Sequence, residues 1–334
     1  MNGNRFSVGL TDATPIDNPR LLASSRVPFV SGDMSKRIDP KRILPEAESI
    51  IVVCVPYEMK NAYSSLSSLG VCEDYHKNVR CILQALANEL AKTHGTFEYK
   101  ILVDSPALCE RSLAVRAGLG YFGKNGLLIL PEFGSRFNIG IMLADVPFNA
   151  ACSSLWLRQE TTPNACALRE VRSSEGFASG LRQETNPFAN ALRAKRGGVG
   201  FLPLGLTELA IADYDVLACP QECDLCIRAC PNGAISEGKP LDVGKCISYL
   251  SQKDILSTEE EKLLHGQLYG CDICQNVCPK NTALETSYVS PSSILNQSDT
   301  QINEKFGHTA MNWKINLLKR NALISAKITG YGCA

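Results

Sequence analysis

The apolar and polar positions of residues 45–148 alternate between strand-like and helix-like patterns. The stretch "ESIIVVCVPY" (48–57) is β-branched and nearly unbroken, which predicts a buried strand. The next segment, "DYHKNVRCILQALANELAKTHG", predicts an amphipathic helix that ends at Gly95. Its apolar face is formed by Val79, Ile82, Leu83, Leu86 and Leu90.

A second strand is predicted at "YKILVDSP" (99–106). It leads into a helix over "PALCERSLAVRAGLG", with Ser105 as the N-cap and Pro106 at the first helical position. The stretch "FGSRFNIGIMLADVPF" predicts a further strand. This alternation indicates an α/β domain, and Asp104 stands at the end of a strand, where α/β folds hold their ligands. A helix-start cap is the alternative role for Asp104.

Residues 151–200 do not continue the pattern. The stretches "LRQETTPNACALREVR" (157–172) and "LRQETNPFANALRAKR" (181–196) are near copies. A solenoid needs about three or more repeats, so two copies indicate an inserted repetitive segment on a surface loop. An arginine-bearing arm that binds RNA is the alternative.

The net charge, the length of the apolar runs and the number of cysteines exclude some classes of protein and favour others. The 334 residues carry 34 Lys+Arg and 34 Asp+Glu, and a net charge of zero argues against a general nucleic-acid coat while permitting a local patch for one structured RNA. No apolar run reaches the roughly 18 residues of a membrane span, and the N-terminus lacks the layout of a secretion signal. We therefore expect a cytoplasmic protein. Because disulfides are rare in that compartment, 15 cysteines indicate metal or redox chemistry.

Eight of the cysteines form two runs and a single bridging residue. Each run ends in C-x2-C-x3-C-P, which is typical of bacterial domains with two [4Fe-4S] clusters. In such domains the last cysteine of each run ligates the other cluster. The predicted first set is Cys219, Cys223, Cys226 and Cys278. The predicted second set is Cys230, Cys246, Cys271 and Cys274.

Zinc is the alternative occupant, since it also binds four thiolates. Zinc sites usually pair two C-x2-C knuckles, however, whereas three ligands and a C-P tail occur here twice. The gap between Cys219 and Cys223 is C-x3-C, which makes Cys219 the unusual ligand. Two clusters conduct electrons, and we expect these electrons to reach a group held by the preceding α/β domain.

The α/β domain offers few other motifs. "GLGYFG" (118–123) follows a predicted helix rather than a strand, so it is not a dinucleotide fingerprint. We interpret its glycines as a turn whose backbone approaches a bulky ligand. Judged by residue type alone, His76 is a capping or core histidine and Arg37 is solvated.

In this order the motifs resemble epoxyqueuosine reductases, the cobalamin-dependent iron–sulfur enzymes that complete the modified base queuosine in tRNA. The resemblance covers most of residues 34–148 and 219–325. It rests on "KRIDPKRILPEAESIIVV", "DYHKNVR", "VDSPALCERSLAVRAGLGYFGKN", "FGSRFNIGIMLADVPF", "KCISYL", "YGCDICQNVCPKN" and "EKFGHTAMNWKINLLKRNAL". It implies an α/β (α+β sandwich) cobalamin-binding domain followed by a ferredoxin-like double-cluster [4Fe-4S] domain.

The resemblance also assigns roles to residues. Asp104 corresponds to the proton donor at the cobalt face of a base-off cobalamin. The positions that line the corrin are Arg37, Leu128, Ile139, Ser248 and Asp272. Supporting positions are Arg111, Lys124 and Asn125. The implied partners are a tRNA with a GUN anticodon, bearing epoxyqueuosine at the wobble position, and an external low-potential electron donor; the implied state is a monomer.

Four regions are predicted from these patterns. They are an α/β corrinoid-binding domain (1–148), the inserted segment (149–210), the double-cluster domain (211–285) and a C-terminal helical tail (286–334). Two other functions remain open from the sequence. One is a related corrinoid iron–sulfur reductase, dehalogenase-like or corrinoid-activating, and the other is a non-enzymatic electron-transfer protein.

Overall fold

The computed structural model describes five ranges of the chain: residues 6–17, 37–57, 62–105, 107–148 and 219–329. The two near copies and the rest of the predicted inserted segment lie outside these ranges, as does Pro106. In the part of the chain that is described, no helix has both the length and the apolar character to cross a membrane.

The strands are β1 (Ser7–Asp12), β2 (Ser49–Pro56), β3 (Tyr99–Val103), β4 (Tyr121–Phe122), β5 (Leu128–Ile129) and β6 (Phe137–Ala144). The first helices are α1 (Ser68–Val71), α2 (His76–His94) and α3 (Glu110–Arg116). The later helices are α4 (Leu225–Ala229), α5 (Ile247–Leu250), α6 (Thr258–Lys262), α7 (Ile273–Asn276), α8 (Pro291–Leu295), α9 (Asp299–Phe306) and α10 (Leu317–Thr329). Short 3-10 helices occupy Pro40–Arg42, Val243–Lys245 and Ala310–Lys314.

The central sheet has the strand order β1-β2-β6-β3, and each neighbouring pair is antiparallel. Because β2 and β3 both run opposite to β6, they run parallel to each other, joined by α2 as the strand–helix alternation predicts. Strand β6 lies between them. The carboxyl ends of β2 and β3 therefore share one edge with the start of β6, where Pro56 faces Phe137. We call this edge, marked by Tyr57, Asp104 and Arg136, the site edge.

Side chains alternate between the two faces of the sheet, as the period of two in a strand requires. One face packs against α2, and all five apolar positions predicted for that helix are buried. The other face packs against α3 and the β4–β5 hairpin. The sheet is thus covered on both sides, and the mixed α/β class expected from the sequence is confirmed.

The helix after β3 begins later than the sequence predicts. Helix α3 starts at Glu110 with Cys109 as its N-cap, so the assignment of Ser105 as N-cap is wrong. The cause is Asp104, whose φ of 49° turns the chain out of the strand in the left-handed region. The Ser105 hydroxyl oxygen accepts a hydrogen bond from the amide of Ala107, 3.2 Å away, and closes a local turn instead.

The C-terminal helices form a core of their own. Helices α8, α9 and α10 pack with Leu66 from the loop before α1 and with Leu268 and Tyr269. The helices predicted for this region are present. Their apolar faces are buried against the first domain and the segment that precedes Cys271.

Candidate functional site

The first cysteine set surrounds a single pocket. Cys219, Cys223 and Cys226 line it, and Cys278 joins them from the second run. The extra residue between Cys219 and Cys223 is taken up by a turn, in which the Cys223 amide donates to the carbonyl of Pro220 at 3.0 Å. The structure therefore brings the four thiols together in the crossed pattern that the spacing predicts. The rest of the lining is Lys124, Asn125, Ile129, Leu225 and Pro279.

The second cysteine set is also gathered, on α5, α7 and the loops beside them. Burial, together with the nearby charges of Cys246 and Cys230, raises the pKa of the Cys271 thiol to about 12. Burial and the charge of Cys230 likewise raise the pKa of Cys246. For Cys274, burial raises the pKa first and the charges of Cys271 and Cys246 raise it further. Such mutual repulsion between thiolates is relieved when cationic iron binds them.

The cysteine sets bear on the choice between a cluster and a single metal ion. Among the described residues, no group of three or more Cys, His, Asp or Glu side chains is placed to hold one metal ion. A tetrahedral zinc with Zn–S bonds of about 2.3 Å requires thiols about 4 Å apart. A cubane interposes an iron atom between each thiolate and its centre, so its ligands stand wider apart. All eight cysteines are free of disulfides, so their thiols are available as ligands.

The β4–β5 hairpin places two polar side chains by the first pocket. Tyr121 is 5% exposed, and its hydroxyl has no hydrogen-bond partner among the described residues. Burial and the charges of Cys219 and Cys278 raise the pKa of this phenol. Lys124 lines the pocket while its Nζ donates to the carbonyl of Gln221 at 2.7 Å. Sequence reasoning missed Tyr121, for which the signal was an aromatic residue inside a glycine-rich turn.

The glycines of "GLGYFG" serve the hairpin itself. A Cβ at Gly120 would lie 2.2 Å from the carbonyl oxygen of Ile129, so only glycine lets β4 approach β5 this closely. Gly118 has a φ of 73° and makes the turn out of α3. In the described structure, the close backbone approach at Gly120 is to the chain's own strand β5. The approach of this turn to a bulky ligand stays a prediction.

Asp104 stands at the site edge, directly after β3. Its side chain is exposed, and its Oδ2 accepts a hydrogen bond from the Tyr75 hydroxyl at 2.9 Å. Burial, followed by the charge of Asp104, raises the pKa of Tyr75, which keeps the phenol protonated as a donor. The left-handed backbone of Asp104 costs about 1 kcal/mol or more and occurs where the surroundings enforce it. The carboxyl group is thus held in one place and open on its outer side.

A half-buried carboxyl group, that of Glu110, supports the loop that carries Asp104. Glu110 Oε1 accepts the Ser105 amide at 2.9 Å, and burial raises the pKa of Glu110 to about 8, with the charge of Asp104 adding to the shift. The guanidinium groups of Arg37 and Arg111 act in the opposite direction. Arg37 is 5% exposed, which corrects the expectation that it is solvated. No local pattern in the sequence indicates that Glu110 lies close enough to Asp104 for the two charges to interact.

The other positions assigned to the corrin fall into two groups. Leu128 on β5 and Ile139 on β6 border the same core on the α3 face of the sheet. Asp272 belongs to the cysteine-bearing segment, where its Oδ2 accepts the Ser68 amide at 2.6 Å. Its charge also acts on Tyr57, which brings it to the site edge. Ser248 lies on α5, and its carbonyl accepts hydrogen bonds from Ser251 and Gln252.

Arg136 joins the site edge to the cysteine-bearing segment and was not singled out from the sequence. It is 6% exposed and donates from Nη1 to the carbonyl of Thr282 and from Nη2 to Oδ1 of Asn276, each at 2.6 Å. Its Nε is buried and has no partner within the described ranges.

The hydrogen bonds of His76, by contrast, are local. Its backbone amide and its ring form hydrogen bonds with Asp74 near the start of α2.

Two family models match parts of the chain. Residues 37–105 match the model described as "Epoxyqueuosine reductase QueG, DUF1730". Residues 219–281 match the "4Fe-4S double cluster binding domain". The second match spans both runs of cysteines and the bridging Cys246. It confirms the class of domain expected there from the spacing.

Characterised relatives and solved structures agree with the family models. The epoxyqueuosine reductase of Bacillus cereus is 28% identical over 348 residues, covering 95% of this chain and 75% of that protein. A crystal structure of an epoxyqueuosine reductase with an epoxyqueuosine-modified tRNA-Tyr stem loop is 25% identical, with a TM-score of 0.65 over 97% of this chain and 77% of that one. The Streptococcus thermophilus enzyme, 23% identical with a TM-score of 0.65, covers the same shares and shares the fold.

Proposed function

This chain is a homologue of the epoxyqueuosine reductases, and from that premise we propose that it reduces the epoxide of epoxyqueuosine in a tRNA anticodon to give queuosine. The observation that carries the proposal is the pairing of two features in one chain. A carboxyl group is fixed and outward-facing at the site edge, and two sets of cluster ligands are joined to that edge through Arg136 and Asp272. A simple electron carrier needs only the second feature.

Cobalamin is the cofactor that we assign to the site edge. The residues that would hold it are Arg37, Asp104, Leu128, Ile139, Ser248 and Asp272. The chemistry of the edge fits such a ligand, because the buried Nε of Arg136 lacks a partner in the described structure and suits an amide carbonyl, while Ile139 offers half-buried apolar surface. Bound cobalamin supplies the reducing power that opens the epoxide.

The protein's own residues supply the proton. Reduction of the epoxide to an alkene takes two electrons and two protons and releases the oxygen as water. Asp104 gives one of these protons to the epoxide oxygen, which is general acid catalysis of a kind worth about 10²–10⁴-fold in rate. The Tyr75 hydroxyl orients the carboxyl by holding Oδ2, which leaves the other oxygen directed outward. The Glu110 bond to the Ser105 amide keeps the loop in its left-handed turn.

The electrons enter through the two cysteine sets. The first set holds one [4Fe-4S] cluster and the second set holds the other, so the loaded protein contains about eight irons per chain. An external low-potential donor reduces the clusters. The substrate is a tRNA with a GUN anticodon, and the protein acts as a monomer in the cytoplasm.

The test is the substitution Asp104→Asn in protein reconstituted with iron, sulfide and cobalamin. Turnover of epoxyqueuosine in an anticodon stem-loop should fall by at least about 100-fold, because the amide cannot give up a proton at neutral pH. Iron content and the absorption spectrum of base-off cobalamin should not change. Asp145→Asn is the matched control, since that carboxyl accepts the Glu98 amide beyond the far end of β6.

Two results separate the possible failures. Wild-type turnover in the Asp104→Asn protein would remove Asp104 from the chemistry while leaving the function standing. A loaded wild-type protein that binds cobalamin yet leaves the modified stem-loop unchanged under strong reductant would refute the proposed reaction.

A further inference from the structure

The hydroxyl of Tyr121 is a buried polar group whose partner is absent from the described chain. Buried hydroxyl groups in folded proteins nearly always form a hydrogen bond, so an exception points to a group that occupies the neighbouring space. Tyr121 sits on β4, opposite Ile129, and Ile129 lines the first pocket. The charges of Cys219, Cys223 and Cys278, three of the four thiols around that pocket, all act on the phenol.

The hairpin holds Tyr121 firmly in this place. Gly120, the residue before it, lies so close to the Ile129 carbonyl that a Cβ would overlap the oxygen at 2.2 Å. Lys124, on the turn between β4 and β5, is tied to Gln221 and to Glu237 Oε1, the latter at 2.9 Å. The hairpin thus brings Lys124 into the lining of the first pocket and places Tyr121 opposite Ile129, another residue of that lining.

A cubane held by these thiols would add sulfur acceptors on the side of the hairpin where Ile129 lines the pocket. The sulfide and thiolate sulfurs of a [4Fe-4S] cluster carry negative charge and accept hydrogen bonds. Such bonds stabilise the reduced cluster more than the oxidised one, since reduction adds negative charge to the sulfurs. Hydrogen bonds to sulfur are accordingly one of the factors that set cluster potentials.

We propose that Tyr121 donates a hydrogen bond from Oη to a sulfur of the cluster held by the first cysteine set and thereby raises that cluster's reduction potential relative to the other. Tyr121 acts through the cluster, as a positioning and tuning residue. The inference rests on the proposed ligand sets and is independent of the substrate and of cobalamin. Its consequence is that the two clusters differ in potential because Tyr121 bonds one of them.

The test is a redox titration of the Tyr121→Phe protein reconstituted with iron and sulfide, in the absence of cobalamin and tRNA. Reduction of each cluster is monitored by electron paramagnetic resonance. One of the two midpoint potentials should become more negative and the other should stay at its wild-type value, with iron still at about eight per chain. The matched control is Tyr99→Phe. The Tyr99 hydroxyl accepts from Gln84 Nε2 at 2.6 Å on the α2 side of the sheet, and its loss should move neither midpoint.

A second variant covers the case in which Tyr121→Phe does not load iron. Incorporation of 2,3-difluorotyrosine at position 121 keeps the ring and makes the hydroxyl a stronger donor, so one midpoint should become less negative. The proposal is overturned if both midpoints equal the wild-type values in a fully loaded variant, or if both move by the same amount. An iron content near four in the wild-type protein would instead refute the proposed ligand sets.

Discussion

At the scale of single residues, the half-buried carboxyl of Glu110 predicts a dependence of stability on pH. Its pKa is about 8 in the folded protein, against 4.5 for an ordinary glutamate, so the folded state binds more protons than the unfolded state between these values. Stability must then fall as pH rises through that interval. The urea unfolding midpoint of the loaded protein should decrease from pH 5.5 to pH 8.5, with a free-energy change of up to a few kcal/mol.

The substitution Glu110→Gln should flatten this dependence. The amide oxygen still accepts the Ser105 amide, so the loop remains supported while the titrating group is removed. Glu46→Gln, at an exposed carboxyl, is the control and should retain the wild-type slope. An unchanged slope in Glu110→Gln would mean that another group is responsible.

The role of a single residue could be predicted where the residues that share that role lie close together in the sequence. The spacing of the cysteines predicts both sets, because three ligands of the first set and two of the second lie within one short loop. The groups around Asp104 were not predictable in this way. Glu110 interacts electrostatically with Arg37 and Tyr75, which come from distant parts of the chain. The error at Ser105 has the same origin, since a local capping rule takes no account of the left-handed turn at Asp104.

At the scale of secondary-structure elements, Gly140 sets the distance between β6 and α2. A Cβ at this position would lie 2.3 Å from Val79 Cγ1 and 2.9 Å from Leu83 Cδ1, both on fully buried side chains of α2. Val79 is β-branched and has little freedom to rotate away. Gly140→Ala should therefore destabilise the protein by about 1–3 kcal/mol, as overpacking of a core does, measured by urea unfolding.

The control for this prediction is Gly244→Ala. A Cβ there meets only Asp242 Oδ1 at 3.5 Å, so stability should change by less than about 0.5 kcal/mol. Equal unfolding midpoints for the two variants would show that α2 can shift away from β6 without cost.

The helix α2 and the strands β2, β3 and β6 were predictable because their apolar patterns are long and regular. Strand β1 was missed, although Val8 and Leu10 alternate with small or polar residues, because six residues that include a glycine carry little periodic signal. The order of the strands in the sheet could not be predicted from the sequence either. A strand–helix–strand pattern predicts that β2 and β3 run parallel, which they do, but not that β6 separates them.

At the scale of the whole molecule, the order of the regions was predictable and their contacts were not. The segment before α1 bonds to the C-terminal region, where the Ser65 hydroxyl donates to the carbonyl of Val289 across 224 positions of sequence. Hydrogen bonds between residues so far apart in the sequence produce no periodic pattern of residue types. The same holds for Arg136, which binds Thr282 and Asn276 across 146 and 140 positions.

The hydrogen bonds of Arg136 should therefore limit local opening of the cysteine-bearing segment. Arg136→Ala should accelerate amide hydrogen exchange in residues 272–282 by about tenfold or more, since a hydrogen bond from a charged group contributes about 1.5–3 kcal/mol. Arg116→Ala is the matched control: its guanidinium bonds the carbonyls of Asp12 and Thr14, so it should loosen the end of β1 and leave 272–282 unchanged. If both variants kept the wild-type exchange in residues 272–282, the cysteine-bearing segment would be held by its other bonds, such as that between Asp272 and Ser68.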